Sequence, residues 1–236
     1  MSIPPSASKP AAAHLDARTL AFLLLGLAAL VLLWRTPVLL PIKVPLVCLH
    51  ELFHGMGALL GGGSMGYIEV YPLESGMIFV VGGSTVLTYN SGYLGSLLLG
   101  VLLLISARFW LGRALVLLLA GLVAVVCFRF MPKGSSFGLV AGLASVILLA
   151  AAALLLPGRL HAFLVRLLGL ASCCYPLLDI TSDVLLGSKM RSDARMLGDL
   201  TPIPMAIWSA IWLISTLGVA GLSLWRSWRA GQTQGP

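Results

Sequence analysis

Long runs of uncharged, apolar residues recur along almost the whole chain, and they limit its fold more than any other feature. The first, "TLAFLLLGLAALVLLW" at 19–34, sets the pattern. A stretch of about 18 or more such residues is a candidate membrane span. About seven can be marked here, at 19–35, 36–60, 86–107, 113–131, 137–157, 160–186 and 203–225. Lipid offers no partner to backbone N–H and C=O groups, so each span must pair its own as a helix. The expected fold is an all-α polytopic membrane protein. Composition agrees: 59% of residues are hydrophobic and 10% charged, where a soluble domain has roughly a quarter charged.

The spans leave little chain for a separate soluble domain, so residues 19–225 read as one membrane-embedded unit. Residues 1–18, "MSIPPSASKPAAAHLDAR", read as a disordered leader, and 226–236 as a polar tail. The first apolar run is longer than a signal-peptide core and has no small-residue cleavage site after it, so a retained span is expected. The net charge is +7. Its basic residues stand singly between spans, which suits contact with anionic lipid head groups rather than nucleic acid. The 15 Lys and Arg divide seven and eight between the two sides, so orientation is not readable. Cys48, Cys127, Cys173 and Cys174 lie in or beside apolar runs with no CxxC spacing, and buried, inert thiols are expected.

Two segments break the pattern. "GGGSMGYIEVYPLESGMIFVVGGST" at 61–85 alternates weakly, with β-forming residues on either side of a polar "PLES" turn. It predicts a β-hairpin at or dipping into the membrane surface. "GSKMRSDARMLGDLTP" at 187–202 is the most polar stretch after the leader. Pro37, Pro41 and Pro45 predict a broken or irregular start to the second span.

That second span carries "HELFH" at 50–54, the pattern His, Glu, two residues, His. On a helix, His50 and His54 lie about 40° apart on one face, so both imidazoles can reach one ion. Glu51 sits about 60° to the side of His54, placed to take a proton from a water and return it to a leaving amine. Ionisable groups inside a span are costly and usually functional. The blander reading is a neutral, hydrogen-bonded histidine pair beside a protonated glutamate.

A catalytic zinc site takes three protein ligands and a water. His14 lies in the leader and His161 at the mouth of the sixth span, so the third ligand is expected to be a carboxylate. The candidates are Asp179, Asp183, Asp193, Asp199, Glu69 and Glu74. If the intervening spans all cross, the second and sixth run the same way. His54 then lies about 9 Å, and Asp179 about 10 Å, from the same end. Asp183 would be only about 5 Å from it. Depth therefore favours Asp179 as ligand. Asp183 is the alternative, or a carboxylate that orients a histidine. Pro176 marks an irregular backbone just before them. Asp193 in "RSDAR" reads as part of a helix cap, through Ser192 or Asp193. Glu69 and Glu74 read as solvated. Gly92, Gly95, Ser96 and Gly100 are small residues at helical spacing and predict close helix packing. Asn90 is a candidate substrate contact or an interfacial cap.

The chain resembles the site-2 protease family of membrane-embedded zinc metallopeptidases, in particular the compact branch without a PDZ domain. The residues that carry the likeness are "HELFHG" at 50–55, the hairpin after it, "NSGYLGS" at 90–96 and "YPLLDITSD" at 175–183. "RSDARMLGDLTPIPMAIWSAIW" at 191–212 adds to it, and the likeness spans roughly residues 44–212. It implies His50 and His54 as Zn2+ ligands, Glu51 as catalytic base, and an aspartate from a later span as third ligand. By its place in "YPLLD" that aspartate is Asp179. Ile180 follows it here, where the better-known pattern has Leu-Asp-Gly.

The expected function is a zinc-dependent endopeptidase that cuts membrane-protein substrates in or beside the bilayer, located in the cell membrane if the source is bacterial. The alternatives are a non-proteolytic scaffold or substrate-trapping relative, or an ion or proton transporter using the same ionisable groups.

Overall fold

The computed structural model describes residues 17–34, 36–72, 76–107, 110–186 and 192–232. The leader falls outside them up to residue 16, as do Glu74 and the 187–191 link.

The element at the centre is α2 (Leu40–Leu60), which holds the histidine motif. It is entered through a short 3-10 turn at Pro37–Leu39. Pro41 sits in the first turn of α2, where its missing N–H costs nothing. Pro45 lies inside the helix, yet the helix continues through it to Leu60. The expected irregularity is thus confined to the 3-10 turn, because the packed surroundings hold the proline-bearing turn helical. α2 follows α1 (Ala17–Leu33) and leads into a hairpin of β1 (Ser64–Val70) and β2 (Gly76–Val81).

The hairpin is antiparallel, pairing Ser64 with Val81 and Val70 with Gly76, with an irregularity between Met65 and Ile68. Of the "PLES" stretch between the strands, residues 73–75 lie outside the described residues. Gly82 and Gly83 leave β2 with φ of 70° and 83°, a backbone region that glycine enters without cost. α3 (Thr85–Ser106) then starts at Ser84, whose side chain accepts from the Leu87 N–H.

Four helices complete the outer part of the bundle: α4 (Leu111–Val125), which ends in a π turn at Val126–Phe130, α5 (Ser136–Leu155), α6 (Gly158–Leu186) and α8 (Met205–Gln232). Between the last two lies α7 (Asp193–Leu200), eight residues long and too short to span. Among the described residues six helices are long and apolar enough to cross a membrane, with Leu20–Leu33 a shorter apolar helix. This is the architecture expected, with α1 at the short end.

α2 packs against α3, α4, α5, α6 and both strands, so it is the buried axis of the bundle. α3 and α6 meet through reciprocal glycines. A Cβ on Gly100 would stand 2.7 Å from the Gly169 carbonyl oxygen, and one on Gly169 would stand 2.9 Å from that of Gly100. The outer faces carry large exposed apolar side chains, among them Leu98, Leu102, Ile105, Leu118, Ile147 and Ile214. In water such faces would aggregate, whereas in lipid they meet their solvent. The four cysteines are buried and unpaired, as expected.

Candidate metal centre

His50 and His54 lie one turn apart on α2, both buried. His54 Nδ1 is 2.8 Å from the Thr88 carbonyl oxygen of α3. A carbonyl only accepts, so Nδ1 carries the proton and Nε2 is left with a lone pair. The matching arrangement for His50 has Nδ1–H donating to Ser96 Oγ, 3.1 Å away. α3 therefore holds both rings from behind, and both Nε2 atoms point the same way, 3.0 Å apart.

The carboxylate that meets them comes from α7. Asp193 Oδ2 lies 3.1 Å from His50 Nε2 and 3.0 Å from His54 Nε2. His50, His54 and Asp193 form a group whose ligand atoms all lie within 4.8 Å of one another. Asp179 is not in that group, which corrects the depth argument. Its Oδ2 instead accepts a 2.6 Å hydrogen bond from the Tyr93 hydroxyl. Matching depths between spans presumed that the third ligand sits on a span, whereas here a short helix after α6 brings its first residue to the site. The Asp183 side chain lies outside the described residues.

The cap reading of "RSDAR" was half right, and the other half is the site. Ser192 caps α7, its side chain accepting from the Arg195 N–H. Asp193 is thus relieved of capping and turns to the histidines.

Glu51 is buried beside this group, under the start of β2. A Cβ on Gly76 would stand 2.6 Å from both Glu51 Cγ and Oε1, so the strand lies directly on the carboxyl side chain. The glycines at 90–100 have two separate uses. Gly100 admits α6, and Gly95 admits Phe53 of α2. Gly92 makes room for the imidazoles themselves: a Cβ there would fall 2.2 Å from His54 Cε1 and 2.8 Å from His50 Cε1. Tyr175 and Tyr93 flank His50 at centroid distances of 4.4 and 5.7 Å. Asn90 faces its own helix, its side-chain amide donating to the Val86 carbonyl at 2.9 Å.

The family model described as Peptidase M50B-like matches residues 23–223, nearly the whole chain. The chain belongs to the Peptidase M50B-like family. Among curated proteins and among solved structures, none matches it. Membership supports a protease, and six helices able to cross a bilayer support a membrane protein. The match takes in α2, α3, α6 and α7, so every residue of the His50–His54–Asp193 group belongs to the M50B-like region.

The donor set of this M50B-like centre fits a metal ion. With both Nδ1 atoms protonated, two imidazole lone pairs and a carboxylate oxygen face one point with no proton among them, which is repulsive without a cation. Zinc at its usual 2.0–2.1 Å bond lengths in a tetrahedron sets its ligand atoms about 3.3 Å apart. The three separations of 3.0–3.1 Å approach that value.

Proposed function

We propose that this chain is a zinc-dependent endopeptidase that hydrolyses peptide bonds of membrane-protein substrates in or beside the bilayer. The observation that carries it is the convergence of His50 Nε2, His54 Nε2 and Asp193 Oδ2 next to a buried glutamate. Two nitrogens and one carboxylate oxygen make a donor set suited to catalytic zinc. Zinc bound there supplies Lewis acidity toward a peptide carbonyl and makes a neighbouring water acidic enough to attack.

The chain's own residues supply the rest. Thr88 and Ser96 fix the tautomers, so the histidines present lone pairs rather than protons. Glu51, the residue after His50 on α2 and buried with it, takes the proton from the attacking water. It then returns that proton to the departing amine. Burial of Glu51 strengthens these interactions. A helical substrate shields its peptide bonds, so the substrate must arrive extended. The β1–β2 hairpin, lying over Glu51, offers a free edge to an extended segment. The partners are then a membrane protein and the lipid around it, with no part for nucleic acid.

Glu51→Gln tests this reading, since it keeps the volume and removes the base. The purified variant should retain one zinc per chain and lose peptide hydrolysis by about 10²–10⁴-fold. Cleavage at the wild-type rate would end the proposal.

A further inference from the structure

Asp193 stands on a helix of eight residues, too short to hold its own conformation. Its position must come from what the first turn of α7 is tied to. The first backbone N–H groups of a helix have no partner within it. In α7 the Arg195 N–H goes to Ser192 Oγ. Tyr93 of α3 lies in one buried cluster with Ala194, the second residue of α7. Tyr93 is fully buried, its ring edge-on to Trp212 of α8 at 5.3 Å. Its hydroxyl donates to Asp179 Oδ2 of α6 at 2.6 Å. A phenol has one proton to give. With that proton committed to Asp179, the ring is tethered where it meets the start of α7. One side chain thus joins α3, α6 and the residue next to Asp193.

We propose that the Tyr93–Asp179 pair is a positioning device for the metal centre: Asp179 tethers the Tyr93 ring by its hydroxyl, and the tethered ring holds the start of α7 so that Asp193 meets both imidazoles. This rests on the metal reading above and gives Asp179 a task other than ligation. Asp179 and Tyr93 touch neither substrate nor ion. They act through the first turn of α7, by way of the packing of Tyr93 with Ala194.

The test is zinc and cobalt titration of the metal-free, full-length protein in detergent against a competing chelator. Tyr93→Phe keeps the ring and its contact with Trp212 and deletes only the oxygen. Zinc affinity should fall by about 10–100-fold, the usual loss when a group that orients a ligand is removed. The visible bands of bound Co2+ should shift as well. Asp179→Leu should do the same. Asp179→Asn, whose amide oxygen still accepts from the phenol, should stay within about 3-fold of wild type. The Tyr93→Phe/Asp179→Leu double variant should be no weaker than Tyr93→Phe alone, because both remove one linkage. Trp212→Phe, which trims the ring packed on Tyr93 and leaves the hydroxyl, should bind as wild type.

Wild-type affinity and an unchanged cobalt spectrum in Tyr93→Phe would overturn the proposal. So would equal losses in Tyr93→Phe and Trp212→Phe, which would show that the hydroxyl tether to Asp179 adds nothing to the packing of the ring. Loss of metal in Asp179→Asn as complete as in His54→Ala would make Asp179 a ligand and overturn it too. A wild-type protein that binds no zinc would instead sink the metal reading beneath it, a result separate from any of these.

Discussion

Gly92 on α3 lies against the His54 ring so closely that a single methyl group would stand 2.2 Å from His54 Cε1 and 2.4 Å from Nε2. The missing side chain is therefore part of the candidate metal centre. Gly92→Ala should push the imidazole off its partners and weaken zinc binding by more than about 10-fold. The overpacked interface should cost roughly 1–3 kcal/mol of stability. Zinc stoichiometry after dialysis, together with a melting curve, checks both. Wild-type zinc content would show that the ring can move aside freely.

Asp193 and Asp179 should give different outcomes when each is changed to asparagine. Asp193→Asn removes the negative charge from a carboxyl that faces both Nε2 atoms. It should release zinc nearly as fully as His54→Ala. Metal analysis of the purified proteins decides it, and an Asp193→Asn protein with one tightly held zinc would remove Asp193 from the ligand set.

Ser96→Ala deletes the group that receives the His50 Nδ1 proton. Ligands lacking such an outer partner usually bind about 10–100-fold more weakly, and that loss is expected here by chelator competition. Thr88 holds His54 by its backbone carbonyl, so Thr88→Val should leave affinity within about 3-fold by the same measure. A Ser96→Ala protein indistinguishable from Thr88→Val would show that Ser96 does not orient His50.

Metal removal should destabilise the fold by mass action. With free zinc at 100 times its dissociation constant, binding adds about 2.7 kcal/mol. Chelation should therefore lower the melting temperature of wild type and leave that of His54→Ala unmoved. An equal drop in both would mean that zinc, if bound, is held elsewhere.

Gly100→Ala should force α3 and α6 apart, because the new methyl would stand 2.4 Å from Cys173 Sγ and 2.7 Å from the Gly169 oxygen. A loss of about 1–3 kcal/mol is expected. Gly121→Ala on α4, with nothing within 4 Å of the added atom, should be neutral or slightly stabilising through helix propensity. Thermal unfolding in one detergent compares the two directly.

What could be read from residue order was whatever depends on near neighbours. Apolar runs show spans because lipid forces each segment to satisfy its own backbone. β-forming residues around "PLES" show a hairpin, and "HELFH" shows two histidines on one face with a glutamate beside them, because one turn of helix sets their spacing. Ser192 as a cap belongs to the same class. Even so, the cap was read without its consequence, that Asp193 was left free for other work.

What depended on the tertiary structure was everything joined across distant segments. Asp193 lies 143 residues from His50 in the chain yet 3.1 Å away in space. Depth along spans cannot reveal this, because a short helix outside the spans delivers it. Asp179 had the right residue type and depth, but a phenol from α3 occupies its carboxylate. Gly92 had the right spacing for helix packing, yet the surface it admits is a pair of imidazoles. The periodicity of a helix says which residues share a face. Only the packing of α3, α6 and α7 around α2 decides what that face meets.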